Sequence, residues 1–328
     1  MPAQNSVNLE ALSDLQTPWC LHVVATLRIA EHIAAGATTV DALSIAAGCD
    51  AEALHAVLSY LASKGVFQET TPGTFALNEA ARGLLDPGLR LGLDLDGIGG
   101  RMARAWGTLL SYVRTGAPAY RDVFGLPFWE DLDAHPDVSA SFDALMGPAG
   151  HGTPDPALQL TDGWDGVQTA VDVGGGTGAF LAEILRTRPA IRGILVDLPR
   201  TVARSSELFE AAGVADRVTT IGQSFFDPLP AGQDLYLLKK VINDWPDAEA
   251  AAILSRCAEA ARPSGRVVVL DSVSPDRAPR TLVVEMVLVG GKRRSVAKFE
   301  ELARAAGLTV QSAGWQTAGR FVVECRPA

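Results

Sequence analysis

The chain has 328 residues, 48% of them hydrophobic, and a formal net charge of -10. This length and apolar content support one large or two medium domains with buried cores. The acidic balance argues against nucleic acid as a partner, because phosphate binding needs a basic face. No apolar run reaches the roughly 18 residues of a membrane span, and the first residues lack the charged start and apolar core of a signal peptide. We therefore expect a cytoplasmic protein that binds no membrane.

Cysteine and histidine spacing predicts no metal site. The four cysteines lie far apart without a Cys-x-x-Cys pair, and the five histidines show no metal-ligand spacing. Such cysteines are typical of buried thiols in a cytosolic protein rather than of disulfides or metal ligands.

Residues 1–100 are predicted to form a mostly helical domain. Helical periodicity covers three segments, residues 9–34, 39–47 and 51–64. Thr39 and Asp50 stand at capping positions where the last two helices begin. An alternating pattern over residues 65–77 turns at a Pro-Gly pair and predicts a hairpin. Helices followed by such a hairpin form a winged-helix arrangement.

The winged helix does not carry the charge that DNA binding requires. Its helix at residues 51–64 offers only His55 and Lys64 as cations, too few for phosphate contacts. We interpret the domain as a packing module with an apolar helical stripe that buries against a second subunit or, alternatively, against the domain's own core. The stripe comprises Trp19, Val23, Leu27, Ala30 and Ile33.

Residues 101–163 are predicted to form helices between two halves of the chain. One helix is expected at residues 128–146 and a shorter one at residues 156–163. Strands then alternate with helices to the end of the chain, which predicts an α/β domain.

The segment Thr169–Pro199 predicts a nucleotide-binding β-α-β unit. It reads TAVDVGGGTGAFLAEILRTRPAIRGILVDLP, an apolar strand, a glycine loop, a helix and a second strand that ends at Asp197. The glycines let backbone amides approach a ligand at the helix N-terminus, and the carboxylate of Asp197 can accept both hydroxyls of a ribose.

Asp172 decides between two nucleotide cofactors. The spacing Gly174-x-Gly176-x-x-Ala179 satisfies the dinucleotide fingerprint. A carboxylate two residues before the first glycine would repel a pyrophosphate, but it suits the ammonium and sulfonium of S-adenosylmethionine. We therefore predict S-adenosylmethionine as the cofactor, with a glycine turn that binds nothing as the remaining alternative.

The order of five motifs extends this prediction to the whole chain. VDVGGGTG, VDLP, FFDPLP, LLKKVINDWPD and GGKRRS follow the winged-helix half. In this the chain resembles the S-adenosylmethionine-dependent O-methyltransferases of the caffeic-acid and hydroxyindole type, whose bacterial branch includes anthracycline methyltransferases. The resemblance implies a winged-helix dimerisation domain at residues 1–100 and a Rossmann-like catalytic domain at residues 101–328, in which residues 101–163 cap the substrate pocket. It also implies a homodimer that binds a small-molecule natural product.

The resemblance assigns cofactor contacts to particular residues. The loop with Gly174 and Gly176 faces the methionine part, and Asp197 takes the ribose hydroxyls. Further cofactor contacts are assigned to Asp172, Leu198, Phe225, Lys239 and Trp245. Ser224 stands where the family commonly has an aspartate that reads the adenine amino group, and its neutral hydrogen bond is weaker by roughly half, so lowered cofactor affinity is expected.

The family's catalytic histidine is absent. Its His-Asp-Trp motif is Asn-Asp-Trp here, and asparagine cannot take a proton at neutral pH. Two acids that orient the histidine in relatives correspond to Asp271 and Arg293. We predict that Asn243 holds the substrate and that alignment and desolvation supply ~7 to 11 kcal/mol of the barrier reduction. The alternative is that Asn243 or Asp244 only caps the following helix.

Two residues are candidates for a replacement base. Glu285 lies among apolar residues, and burial would raise its pKa toward that of a useful base, unless it pairs with Arg280, Lys292 or Arg293. His151 follows a glycine-rich stretch and either enters the site or is an exposed loop residue.

Several residues are candidates for the substrate pocket, with plain core or surface positions as the alternatives. They are Trp106, Phe142, Met146, Asn243, Glu285 and Arg293. The expected reaction is methyl transfer to a hydroxyl, enol or carboxyl group of a secondary metabolite. A methyltransferase fold that keeps the cofactor but hydroxylates, decarboxylates or cyclises is a second hypothesis, and a winged-helix regulator is a third.

Overall fold

The computed structural model describes residues 8–275, 282–317 and 319–328. The chain forms two compact units, Met1–Ala103 and Arg104–Ala328. Up to the boundary region the elements are α1 (Leu9–Leu12), α2 (Gln16–Thr26), α3 (Ile29–Ala34), α4 (Val40–Ala47), α5 (Ala51–Ser63), β1 (Gln68–Thr71), β2 (Thr74–Ala76), α6 (Glu79–Arg82), α7 (Pro87–Leu93) and α8 (Ile98–Ala105).

The first unit is helical with one hairpin, as predicted. The Thr39 and Asp50 side chains accept hydrogen bonds from the N–H groups three residues later, which confirms both caps. β1 and β2 pair antiparallel. The segment with helical periodicity at residues 9–34 is helical but is divided into α1, α2 and α3, with Arg28 at a φ of 52° between the last two.

The apolar stripe of the first unit is divided between core and surface. Ala30 and Ile33 are buried in the core of this unit, whereas the Trp19 side chain is 44% exposed. Leu9, Leu12 and Leu15 near the start of the chain are also exposed. This leaves apolar side chains on the surface of the helices α1 and α2.

The second unit begins with short helices. They are α9 (Leu109–Thr115), α10 (Tyr120–Phe124), α11 (Phe128–Ala134), α12 (Pro136–Met146) and α13 (Pro148–His151). The continuous helix predicted for residues 128–146 is interrupted at His135, because the residue before a proline avoids helical geometry. The short helix predicted for residues 156–163 is wrong, since this segment has no helix.

A seven-stranded sheet organises the rest of this unit, and its order is β10-β11-β7-β6-β3-β4-β5. Its strands are β3 (Thr169–Val173), β4 (Arg192–Asp197), β5 (Val218–Gly222), β6 (Leu235–Lys239), β7 (Arg266–Leu270), β10 (Leu308–Trp315) and β11 (Phe321–Pro327). β3 to β7 are parallel, whereas β11 runs antiparallel to β7 and to β10. The α/β fold expected from the sequence is thereby confirmed.

Helices cover both faces of the sheet. They are α14 (Ala179–Thr187), α15 (Pro199–Val202), α16 (Ser206–Ala211), α17 (Asp247–Ala260), α18 (Glu285–Leu288) and α19 (Val296–Ala305), and a small pair of strands, β8 (Val273–Ser274) and β9 (Arg294–Ser295), lies outside the main sheet. Two apolar cores fill the space on either side of the strands. The sheet order reverses between β3 and β6, where open α/β sheets bind ligands at the carboxyl ends of the strands.

Candidate active site

A cavity of about 360 Å³ opens at the carboxyl ends of β3, β4 and β6. Its wall combines the glycine loop after β3 with residues of α11, α12 and α13 and with the segment that follows β6. All of its lining residues belong to the second unit.

The glycine loop needs residues without side chains. Gly174, Gly176 and Gly178 have φ values of 67°, 61° and 88°, in the left-handed region that glycine tolerates best. A Cβ atom on Gly175 would lie 2.5 Å from the Asp172 carboxylate. The loop therefore packs directly over Asp172 and leaves the adjacent cavity open.

Asp172 is an unpaired buried acid. Its side chain is 1% exposed, and neither carboxylate oxygen has a hydrogen-bond partner among the described residues. Burial raises the pKa of this carboxyl to about 7, and nearby Asp197 adds to the effect while Lys239 opposes it. A buried carboxylate that lines a cavity and lacks a partner fits a cationic ligand, so these residues are compatible with S-adenosylmethionine.

Asp197 is oriented by the backbone. One carboxylate oxygen accepts a hydrogen bond from the Gly176 N–H at 2.8 Å, and the other accepts one from the Leu198 N–H at 2.7 Å. Burial nevertheless raises the pKa of Asp197 to about 6. The two amides fix the carboxylate against the cavity, where Leu198 also lies.

Aromatic rings form one wall of the cavity. Trp245 stacks on Trp129 with ring centroids 6.1 Å apart, and it meets Phe225 edge-on at 5.7 Å. The indole N–H of Trp129 is buried without a partner among the described residues. Ser224 borders the same wall, and its hydroxyl oxygen accepts a hydrogen bond from the Phe226 N–H. Trp129 was not predicted as a site residue, because a Phe-Trp pair at the start of a helix is typical of residues in the hydrophobic core.

Two consecutive lysines border the cavity where β6 ends. Lys239 is half-buried, and burial lowers its pKa, an effect that Lys240 reinforces. Lys240 has a φ of 56° and is exposed. Lys240 was not predicted as a site residue, because no sequence pattern indicates a left-handed residue at the end of a strand.

Two of the six predicted pocket residues, Phe142 and Met146, border the cavity, and so does the candidate base His151. The other four lie outside its wall, namely Trp106, Asn243, Glu285 and Arg293. Burial, and then the charge of Lys240, lower the pKa of His151, although much of its side chain is exposed. His151 is the last residue of α13 rather than a loop residue, and it borders the cavity, where the lowered pKa favours its neutral form.

Asn243 does not line the cavity, because its side chain is engaged elsewhere. The amide nitrogen donates to the Asp244 carboxylate at 2.7 Å, and the amide oxygen accepts from the Ser272 hydroxyl at 2.8 Å. Asp244, in contrast, borders the cavity. The capping alternative is wrong, since α17 has Pro246 as its N-cap and no side-chain cap.

Burial raises the pKa of Asp244 well above its ordinary value, and the charge of Glu285 raises it further. Glu285 begins α18 and lies outside the cavity wall. No hydrogen bond or ion pair of the Glu285 carboxylate occurs within the described part of the chain, and Lys292 pairs with Asp247 instead. Arg280, the third proposed partner of Glu285, falls outside the described residues.

Asp271 lies behind the site rather than in it. It follows β7 with a φ of 57°, and its carboxylate is 3.6 Å from the Arg320 guanidinium. Neither residue borders the cavity. The structure therefore does not bring the predicted catalytic residues Asn243, Glu285 and Asp271 together on the cavity wall.

Arg294 fixes the segment that carries Asp244 and Trp245. Its side chain is 2% exposed, and its guanidinium donates to the carbonyls of Ile242 and Trp245, each at 2.7 Å. It also bonds the Asp247 carboxylate at 3.0 Å. This structural role was not predicted from the sequence, because Arg294 stands in a run of three basic residues that resembles surface charge. The next residue, Ser295, is the N-cap of α19.

Residues 8–275, 282–317 and 319–328 contain no cluster of three or more acidic, histidine or cysteine side chains that could hold a metal ion. In the same residues, no helix has both the length and the apolarity to cross a membrane.

Two family models match the chain. An O-methyltransferase dimerisation domain matches residues 9–87, and an O-methyltransferase domain matches residues 106–309.

Individual relatives cover nearly the whole length. A 2,7-dihydroxy-5-methyl-1-naphthoate 7-O-methyltransferase of Streptomyces carzinostaticus is 40% identical over 94% of each chain. Aclacinomycin 10-hydroxylase RdmB of Streptomyces purpurascens is 38% identical over 93% of this chain and 85% of its own. The crystal structure of the O-methyltransferase NcsB1 with S-adenosylmethionine and 2-hydroxy-5-methyl naphthoic acid superposes with a TM-score of 0.88, at 37% identity, over 99% of this chain and all of that one.

Proposed function

The chain belongs to the S-adenosylmethionine-dependent O-methyltransferases of secondary-metabolite pathways, and from this we propose that it methylates a hydroxyl group on an aromatic natural product. Enol and carboxyl groups belong to the same proposal, since they release their proton more readily than a phenol does. The observation that carries the proposal is the buried carboxylate of Asp172, which has no hydrogen-bond partner among the described residues and lies on the wall of a cavity that also includes the rings of Trp129, Phe225 and Trp245.

The cofactor end of the cavity has a binding group for each part of S-adenosylmethionine. We assign the cationic methionine part to Asp172, the ribose to Asp197, and the adenine to the wall formed by Leu198, Phe225 and Trp245. Lys239 and Ser224 border the same region. When bound, S-adenosylmethionine supplies a methyl group activated by the positive charge on its sulfur.

Phe142 and Met146 would hold the acceptor ring and exclude water from the opposite side of the cavity. A phenol has a pKa near ~10, so its proton must leave during or before methylation. His151 is the group that we assign to this proton, because its lowered pKa leaves the imidazole neutral and able to accept.

Asn243 is proposed as a positioning residue rather than as a direct contact of the substrate. It holds the Asp244 carboxyl through its amide, and Ser272 holds Asn243 in turn. Burial and the charge of Glu285 both raise the pKa of this carboxyl, which borders the cavity. Glu285 acts through Asp244 in this scheme and is not the base.

Methyl transfer is tested by product stoichiometry. The protein is incubated with S-adenosylmethionine and a hydroxynaphthoate, and S-adenosylhomocysteine is quantified against methylated product. Equal amounts support the proposal. The second candidate function is a non-methylating enzyme on the same fold. The observation that favours it is the 38% identity to a protein named as a 10-hydroxylase. A modified acceptor formed with the cofactor left intact would support this candidate instead.

The assignment of the proton to His151 has its own test. The variant H151N should lower kcat for a phenolic acceptor and remove the rise of kcat with pH that comes from the imidazole, whereas E285Q should keep that rise. H55N, in the first unit and outside the cavity, serves as the control. Unchanged kcat in H151N would contradict the assignment, and loss of the same rise in E285Q would assign the base to Glu285 instead.

We also propose that the chain forms a homodimer through its first unit. The match to a dimerisation domain supports this, as do the exposed apolar side chains of Leu9, Leu12, Leu15 and Trp19. Light scattering coupled to size-exclusion chromatography should give twice the 34.5 kDa chain mass. A monomer at micromolar concentration would contradict the proposal.

A further inference from the structure

Lys240 is a strained residue on the wall of the cavity. Its φ of 56° is in the left-handed region, which is sterically unfavourable for residues other than glycine. Its backbone N–H still donates to the Leu270 carbonyl at 2.9 Å, so β6 keeps its pairing with β7 up to this residue. Such conformations persist where the surrounding structure holds them, and they concentrate at functional sites.

The strained backbone places two consecutive cations on one cavity. Successive side chains of a regular strand point to opposite faces of a sheet. Lys239 and Lys240 nevertheless both line the cavity, because the backbone leaves strand geometry at Lys240. The second lysine is thereby added to the site rather than turned away from it.

Lys240 is the exposed one of the two lysines on the cavity wall. Arg200, another cation of this wall, pairs with Asp133, and half-buried Lys239 is attracted by Asp172. Within the described residues, Lys240 makes no ion pair and no side-chain hydrogen bond, and its side chain is exposed to the cavity.

The acid on the cavity wall that attracts Lys240 is engaged by another residue. The Asp244 carboxylate accepts a hydrogen bond from the Asn243 amide at 2.7 Å and forms no ion pair with Lys240. Burial, together with the charge of Glu285, also raises the pKa of Asp244, which weakens its attraction for a cation. The Lys240 ammonium is therefore left accessible on the cavity wall to an anionic group of a ligand.

We propose that Lys240 binds a carboxylate on the acceptor, and that the enzyme therefore selects hydroxylated aromatic acids over the corresponding neutral phenols. This inference rests on the proposed function for the identity of the acceptor site. It adds the chemical class of the acceptor and the residue that recognises it. A hydrogen bond between a lysine and a carboxylate in a cavity that excludes water changes affinity by about tenfold or more.

The test measures binding to the protein saturated with S-adenosylhomocysteine, by isothermal titration calorimetry. The ligands are 2-hydroxy-1-naphthoate and 2-naphthol, which differ by the carboxylate. The variant K240M keeps an unbranched side chain without the charge, and K240R keeps the charge. K298M removes an exposed lysine of α19 that does not line the cavity, and it is the matched control.

Wild type and K298M should bind the naphthoate at least about tenfold more tightly than the naphthol. K240M should lose this preference while its affinity for 2-naphthol stays unchanged, and K240R should retain most of it. The inference is overturned if K240M retains the preference, if it weakens both ligands equally, or if it weakens S-adenosylhomocysteine instead, which would assign Lys240 to the cofactor. Because binding is measured without turnover, absence of methyl transfer refutes the proposed function separately and leaves this result interpretable.

Discussion

Replacing Asp172 with asparagine should make the protein more stable and the cofactor site weaker. The carboxyl is buried without a hydrogen-bond partner among the described residues, and burial raises its pKa from 3.8 to about 7. The folded state therefore binds this proton more tightly than the unfolded state does. The free energy of unfolding consequently falls as the pH rises from about 4 through about 7, and the full cost is present above pH 7.

The size of this cost follows from the two pKa values. At about 1.4 kcal/mol for each pKa unit, the difference corresponds to at most about 4 kcal/mol at pH 8. D172N carries no charge at any pH and avoids the cost. Without cofactor it should unfold at higher urea concentration than wild type at pH 8, and the gain should shrink toward pH 5.

Cofactor binding should change in the opposite direction. D172N should bind S-adenosylmethionine about tenfold to a hundredfold more weakly at pH 8, since a charge-assisted interaction is lost. Wild type should also lose affinity as the pH falls from 8 toward 6, because Asp172 must release a proton to meet the cation, and D172N should lack this part of the dependence. Urea unfolding and calorimetry measure both effects, with D165N on an exposed loop as the control. A D172N protein that is less stable than wild type at pH 8 and binds the cofactor equally well would refute the reasoning.

Three further substitutions test the surroundings of the site. R294M should lower the free energy of unfolding by about 3 kcal/mol or more in urea, because it leaves two buried carbonyls without their donor; a loss under 1 kcal/mol would contradict this. G175A should keep the fold by circular dichroism but bind the cofactor at least about tenfold more weakly, because the new Cβ lies 2.5 Å from the Asp172 carboxylate. Unchanged affinity would show that the loop can shift to accommodate the methyl group. N243H should not raise kcat, because position 243 contacts Ser272 and Asp244 rather than the cavity; a higher kcat would show that an imidazole there reaches the acceptor.

The sequence predicted the parts of the molecule that depend on local patterns. The β-α-β unit from Thr169 to Asp197 needs only apolar alternation, a glycine loop and helical periodicity, and the strands β3 and β4 and the helix α14 follow it closely. Helix breaks were predicted less well, because Arg28 and His135 interrupt otherwise helical patterns through backbone angles.

Features that depend on contacts distant in sequence could not be predicted. Arg294 looked like one of several basic residues, and only the folded chain shows that its guanidinium bonds carbonyls more than 45 residues away. Lys240 and His151 come to one cavity from the end of β6 and from α13. The sequence predicted the cofactor because one short segment carries most of that site, whereas the acceptor side is assembled from separate helices.

Asn243 is part of a chain of hydrogen bonds that leads to the cavity wall. Ser272 donates to Asn243, and Asn243 donates to Asp244, so both polar atoms of the amide are satisfied. An amide suits this position because it accepts and donates without ionising, and it can therefore hold an acid whose charge is disfavoured by burial and by Glu285. The two hydrogen bonds hold the Asp244 carboxyl in place on the cavity wall. Lys240 on the same wall is exposed and makes no ion pair among the described residues, so an acceptor that carries a carboxylate is the ligand that this arrangement favours.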